Sequence, residues 1–196
     1  MANKRKTREE RIDEIMDAAM KLFCSKGYQA STMEDIIAET ELSKGGFYHY
    51  YGRKKDILID MMARGNMQYM RYNPFMQEIR PEMDKDEKVE LLLEAYLDKC
   101  LQVTNEKCVY AMFLYEGMMD EDIWRAFLKY EVDFMIFMFN KLGLEQVKDL
   151  NDYYLLSRLL NGLLLGQHTS RDHNCLLDNR DEIKNMLKPL VMRLVG

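Results

Sequence analysis

The sequence predicts an all-α protein, with an amino-terminal three-helix unit followed by a larger helical domain, and three observations predict it. Only 10 Gly and 3 Pro punctuate 196 residues, too few for many strands and turns. Apolar residues recur at three- and four-residue spacing along most of the chain. No alternating stretch of useful length and no internal repeat interrupts that pattern. At 47% hydrophobic and 31% charged residues, the composition is that of a folded globule rather than a disordered chain.

Thr7 and Glu10 form a capping-box pair. Behind them Ile12, Ile15, Met16, Ala19, Leu22 and Phe23 share one face of a first helix, which Gly27 ends. Ser31 or Thr32 caps a second, short helix with Glu34 and Asp35 in its first turn, running to about Glu39. Thr40 to Leu42 turn the chain, and Ser43 caps a third helix reaching about Tyr51. Three helices so close together, the last two short and tightly joined, predict a helix-turn-helix. Further helices are expected from Lys55 to near Tyr72, over Val89–Leu101, Val109–Met118, Asp122–Leu142, Leu150–His168 and Ile183–Leu194. Pro189 is expected to kink the last. The domain division falls at 1–54 and 55–196.

Several classes are excluded by what is missing. The apolar run Leu155–Leu165 contains Arg158 and Asn161 and is too short for a bilayer. Met1–Arg11 is polar, with no apolar segment behind it, so no signal peptide is expected and the protein is placed in the cytoplasm, away from membranes. Cys24, Cys100, Cys108 and Cys175 follow neither a zinc spacing nor C-x-x-C, which predicts reduced thiols. No phosphate-binding loop, dinucleotide fingerprint or nucleophile elbow occurs, so neither an enzyme nor a cofactor is expected.

The net charge of −5 conceals two basic islands. Residues 1–8 hold Lys4, Arg5, Lys6 and Arg8 without an acid, and residues 42–55 hold Lys44, Arg53, Lys54 and Lys55 without an acid. Screening confines such fields to about 10 Å at ~0.1 M salt, so an acidic molecule can still attract phosphate there. The second island is S-K-G-G-F-Y-H-Y-Y-G-R-K-K, Ser43 to Lys55. Gly45 and Gly46 in a helix's first turn weaken it by roughly 1 kcal/mol each, but they let another backbone approach the positive helix end. Phe47 and Tyr51 face one way, inward, and Tyr48 and His49 another. Such a helix fits a major groove ~12 Å wide.

The series I-x-x-A-A-x-x-L-F-x-x-x-G-Y (Ile15 to Tyr28), T-M-E-D-I-I-A, S-K-G-G-F-Y-H-Y-Y and K-K-D-I-L resembles the DNA-binding domain of the TetR family of bacterial transcription regulators. The resemblance covers residues 11–58. It implies a DNA reader followed by a ligand-binding and dimerisation domain, hence a repressor released from a double-stranded operator by a small, largely apolar or aromatic effector. It also implies DNA contacts by Thr32, Lys44, Gly45, Tyr48, His49 and Lys54. Ser43, Gly46 and Tyr50 join them at the same helix, and the arm Lys4 to Arg8 is read equally as a groove-tracking arm or a solvated tail. The chain departs from the family pattern with Glu39-Thr40-Glu41 in the turn and Tyr51 in place of Phe.

In the larger domain, Met112, Phe113, Glu116, Trp124, Phe127, Tyr130, Phe134 and Met138 are candidate ligand-lining residues, with core packing as the alternative for each. Glu116, Glu131 and Asp133 would favour a cationic ligand. A homodimer interface is expected from Leu156, Leu159, Leu160, Leu163, Gly166, Met186, Leu190 and Leu194 on the two Leu-rich helices, Gly162 and Gly166 sharing a face. The alternative function is metal or redox sensing through His168, Asp172, His173 and Cys175, or through Cys100 and Cys108.

Overall fold

The computed structural model describes residues 6–72, 74–143, 150–170, 172 and 174–194. Among them are ten α-helices, one 3₁₀ turn and no strand. Helix α1 (Arg8–Lys26) opens with the Thr7/Glu10 capping box and ends at Gly27, whose φ of 85° suits glycine. Helix α2 (Met33–Ala38) is capped by Thr32. Ser31 is buried and instead donates to Gly27 O at 2.8 Å. Helix α3 (Lys44–Tyr48), capped by Ser43, is shorter than expected. The N–H groups of Tyr50 and Tyr51 both reach Phe47 O, which closes the helix and starts the exit loop. Ile15, Ala19, Phe23, Ile36, Phe47, Ile57 and Leu58, all fully buried, hold this end together.

Helix α4 (Lys54–Tyr72) leads into the larger domain, and an unpredicted 3₁₀ turn (Pro74–Gln77) follows. Helices α5 (Lys85–Leu101) and α6 (Asn105–Gly117) are capped by Asp84 and Thr104. Helix α6 starts earlier than its apolar pattern suggests because its first turn, Asn105 to Lys107, is polar. Helix α7 (Glu121–Leu142) runs from an Asp120 cap to Gly143, which is left-handed at φ 60°. Helix α8 (Leu150–Thr169), the short α9 (Asn174–Asp178) and α10 (Arg180–Leu194) complete the chain, and α10 continues through Pro189. Sequence reading missed α9, which offers only Leu176 and Leu177 as apolar signal.

Helix α5 packs on α8 and α10, and α6 on α7, α8, α4 and α1. The α5–α10 seam buries Leu187, Leu190, Val191 and Leu194 and is edged by ion pairs. Arg180 and Lys184 reach Glu94 at 2.7 and 2.8 Å, and Lys188 reaches Glu90 at 2.6 Å. The amino-terminal helices join the rest through α4 and through polar ties. Lys55 bonds Asp120 and Asp122 at 3.0 and 2.6 Å, and Gln29 donates to Glu116. No helix among the described residues is long and apolar enough to cross a membrane.

Candidate nucleic-acid interface and ligand cavity

Helix α3 has two unlike faces. Phe47 is fully buried and Tyr51 nearly so, whereas Tyr48 is 41% exposed and His49 points to solvent. The Tyr48 ring stands edge-on to Phe47, which fixes its base while leaving its hydroxyl end outside. A Cβ added at Gly45 would meet nothing within 4 Å, so the chain's own packing gives no reason for a glycine there. Gly46 differs, because its Cβ would stand 3.2 Å from the capping Ser43 Oγ. Ser43 Oγ accepts from the Gly46 N–H at 3.2 Å and is itself exposed.

Around that helix the charges are arranged in pairs. The exposed Lys44 ammonium bonds Glu34 at 3.0 Å, and this bond holds the Glu34 carboxyl below its usual range. Thr32 uses its hydroxyl locally, accepting from the Asp35 N–H and donating to the Asp35 carboxylate. Tyr50 is half-buried against the core. Lys54, expected at phosphate, has internal partners here. Its ammonium donates to Tyr28 O and Ser31 O at 2.6 and 2.8 Å and lies 4.1 Å from the centre of the Tyr28 ring. Burial pushes its pKa down. Lys54 therefore ties α4 to the loop before α2, a role the sequence pattern did not reveal.

The acids in the turn also find a reason. Glu39 pairs with Lys21 at 2.5 Å. Glu41 lies 3.3 Å from Arg11 and donates its N–H to Glu14 at 2.6 Å. The turn is thus stitched to α1 by charge rather than by small residues. Lys6 of the basic arm bonds Glu14 and Glu41 at 3.1 and 3.0 Å. Lys4 and Arg5 lie outside the described residues.

The larger domain redistributes the expected ligand residues. Phe113, Phe127 and Met138 are fully buried core, and Met112 packs against it. Trp124 stacks on Phe127 at 5.3 Å, and the Arg158 guanidinium lies over the Trp124 ring at 5.2 Å. Tyr130 donates to Ile59 O of α4 at 3.4 Å. Glu116 is buried and spent on Gln29. Of the eight, Phe134 alone borders a partly open cavity of about 30 Å³ between the helices. Phe127, Tyr130, Glu131 and Phe134 lie at three- and four-residue spacing on one face of α7, with Tyr130 bonded to α4 and Glu131 and Phe134 bordering the cavity. Helix α5 contributes Tyr96, Lys99 and Cys100, α6 Tyr110, and α8 Tyr153, Leu156, Ser157, Leu160 and Asn161.

The expected dimer residues divide in the same way. Leu156, Leu160, Leu190 and Leu194 are buried within their own chain, against α5 and its neighbours. Gly166 is partly covered by Leu176. Leu159 at 44% and Met186 at 78% are exposed, Leu163 is half-buried, and Tyr154 and Leu155 add exposed apolar surface not anticipated. Gly162 faces open space on the side of α8 that carries Leu155 and Leu159.

Among the described residues no group of three or more His, Cys, Asp or Glu side chains is placed to hold a metal. His173 lies outside those residues, and Asp172 accepts from the Asn174 N–H as α9 begins. Cys100 borders the cavity, where burial pushes its pKa to about 12. Cys108 has Cys24 of α1 as its thiol neighbour, and burial likewise pushes Cys24 to about 12. The Cys100 and Cys24 thiols are accordingly poor nucleophiles.

Residues 15–61 match the family described as "Bacterial regulatory proteins, tetR family". The uncharacterized HTH-type transcriptional regulator YuxN of Bacillus subtilis is 40% identical over 48 residues, 24% of this chain and 16% of that protein. The biofilm operon icaADBC HTH-type negative transcriptional regulator IcaR of Staphylococcus epidermidis is 38% identical over 45 residues, 23% of this chain and 24% of that protein. The matched segment thus spans less than a third of either relative. GusR of Salmonella enterica shares the fold over 98% of this chain and 99% of its own, with a TM-score of 0.70 at 16% identity.

Proposed function

We propose, from the premise that the chain belongs to the TetR family of bacterial regulatory proteins, that it is a sequence-specific DNA-binding repressor released from its operator by a small molecule. The observation that carries this reading is the α3 surface. An exposed tyrosine, a histidine, a lysine and a glycine with empty space before it stand on a helix whose other side is locked in the core. The glycine costs helix stability and returns nothing to its own chain, which fits an approaching duplex. Tyr48, Ser43 and Lys44 supply phosphate contacts, and His49 is aimed at base edges. A phosphate would compete with Glu34 for Lys44, and both are exposed, so that exchange is cheap.

Two readers are needed for a palindromic site, with half-sites about 34–36 Å apart. The exposed apolar stretch on α8, Tyr154, Leu155 and Leu159, together with Met186 of α10, supports a homodimer built on those helices. The division at 54/55 then separates reader from control domain, with α4 as the lever and Lys55–Asp120/Asp122 and Gln29–Glu116 as the joint. An effector that prefers a state with mismatched readers lowers DNA affinity by linkage. The protein acts in the cytoplasm and performs no catalysis in this reading.

Selection of bound sequences from random duplex DNA tests the proposal. A palindromic consensus whose half-sites lie one helical turn apart supports it. Retention of duplexes without sequence preference overturns it.

A further inference from the structure

We propose that the cavity between α5, α6, α7 and α8 is the effector site and that it takes a small organic anion, its carboxylate on the Lys99 ammonium and its apolar body among Tyr96, Tyr110, Phe134 and Tyr153. The inference rests on the effector-release reading and names the ligand class for it. The Lys99 nitrogen stands 4.1 Å from the centre of the Phe134 ring and 4.9 Å from that of Tyr110. Among the described residues no carboxylate oxygen comes within 4.0 Å of it. The lining does include a carboxylate, Glu131, but both its oxygens are committed. One accepts from Ser157 Oγ and the other from Asn161 Nδ2, each at 2.8 Å.

A second ammonium lies nearby, outside the cavity lining. Lys107 of α6 lies 4.7 Å from the Tyr69 ring centre, and its charge opposes that of Lys99. Asp98 and Glu106 lie near enough to Lys107 to offset its charge, which leaves Lys99 as the cavity cation without an ion pair among the described residues. A ligand cation would meet aromatic faces already covered by Lys99, and repulsion from both lysines. A ligand anion would meet the Lys99 ammonium, while the Glu131 carboxylate on the same wall is held by Ser157 and Asn161. Burial pushes the Lys99 pKa down to about 8, as expected for an ammonium lacking an acid partner.

At about 30 Å³ the cavity has room for one water, so an organic ligand must part the helices that line it. Helix α7 carries Phe134 and Glu131 toward the cavity and Tyr130 toward Ile59 and Asn66 of α4. Opening the cavity therefore pushes on the helix that leads to the reader.

The anion needs Lys99 protonated. The titratable groups around Lys99 are Tyr96 and Cys100 on its own helix, Lys107 and Tyr110 on α6, Glu131 on α7 and Tyr153 on α8. Burial raises the pKa values of Tyr96, Cys100, Tyr110 and Tyr153, so Lys99, lowered to about 8, is the group whose charge is lost as pH rises past that value. Anion affinity is then flat below about pH 8 and falls as pH rises beyond it.

Calorimetric titration of the full chain with benzoate and hexanoate, against benzamide, hexanamide and benzyltrimethylammonium, tests this at pH 6.5 and 9.5. The acids are expected to bind at least tenfold more tightly than their amides at pH 6.5. That advantage should shrink at pH 9.5, vanish in Lys99→Gln and persist in Lys99→Arg. If Lys99→Gln does not fold, the wild-type pH comparison reads the same charge. An amide or the ammonium binding as well as the acids, or no binding of either acid, overturns the proposal. The same ligands are added to the protein on its selected duplex. An acid that binds without releasing DNA refutes effector release and leaves the anion site standing. An ammonium that alone binds and releases DNA refutes the anion and leaves release standing.

Discussion

Helices α3 and α7 are both aromatic, and they distribute stability and recognition in opposite ways. In α3 adjacent residues split the work, since Phe47 is wholly buried and Tyr48 faces solvent. In α7 Phe127 and Phe134, seven residues apart, share one enclosed side, the first in the core and the second at the cavity. Periodicity therefore separates core from contact in α3, where one face is left open. It cannot do so in α7, where core and cavity positions share one face while Val132 and Ile136 on the other are exposed.

Deleting core rings should produce the largest effects at both ends. Phe47→Ala and Phe127→Ala are each expected to cost ~3–5 kcal/mol in denaturant unfolding. A Phe127→Ala variant of unchanged stability would break the comparison, since that ring would then line a void. The contrast at α3 comes next. Tyr48→Phe should leave the unfolding midpoint in place and weaken binding to all duplexes alike, about tenfold, in a fluorescence titration. His49→Ala should alter base preference in a repeated selection more than it alters overall grip.

The legible parts of the fold were those with local causes. Thr7, Thr32 and Ser43 mark three helix starts by their own hydrogen bonds, and all three cap as read, with Ser31 displaced from the second. The inward positions of Phe47 and Tyr51 followed from spacing alone. What escaped the sequence depends on partners distant in the chain. Glu116 looked like a ligand residue until Gln29, 87 positions away, was seen to hold it. Lys54 looked like a phosphate contact, yet two carbonyls of the loop before α2 accept from it. Lys99 carried no signal at all, because a lysine on an amphipathic helix ordinarily faces water.

Titration sharpens the contrast on a smaller scale. Lys188 holds Glu90 below its usual value of 4.5, and the Lys184 and Arg180 bonds outweigh burial to do the same for Glu94. Groups lowered on folding stabilise above the unfolded value, so the α5–α10 seam should weaken as pH falls below about 4.5. Lys99 acts with the opposite consequence. Its lowered value means that the unfolded chain binds more protons between about 8 and 10.5, so stability contributed by this group rises with pH across that window. Melting temperatures between pH 3 and 10 check both signs. The smallest change is expected from Lys44→Ala, which should reduce the slope of log affinity against log salt by about 1 with no change in melting temperature.

The most direct test of the reader is Gly45→Leu, measured for unfolding and for affinity toward the selected duplex. Nothing in the chain lies within 4 Å of the added Cβ, and leucine is the better helix former. The predicted result is a melting temperature equal to or above that of the unaltered protein, with duplex affinity reduced at least tenfold. Unchanged affinity in that stable variant would show that DNA does not approach the tip of α3, and would contradict the account.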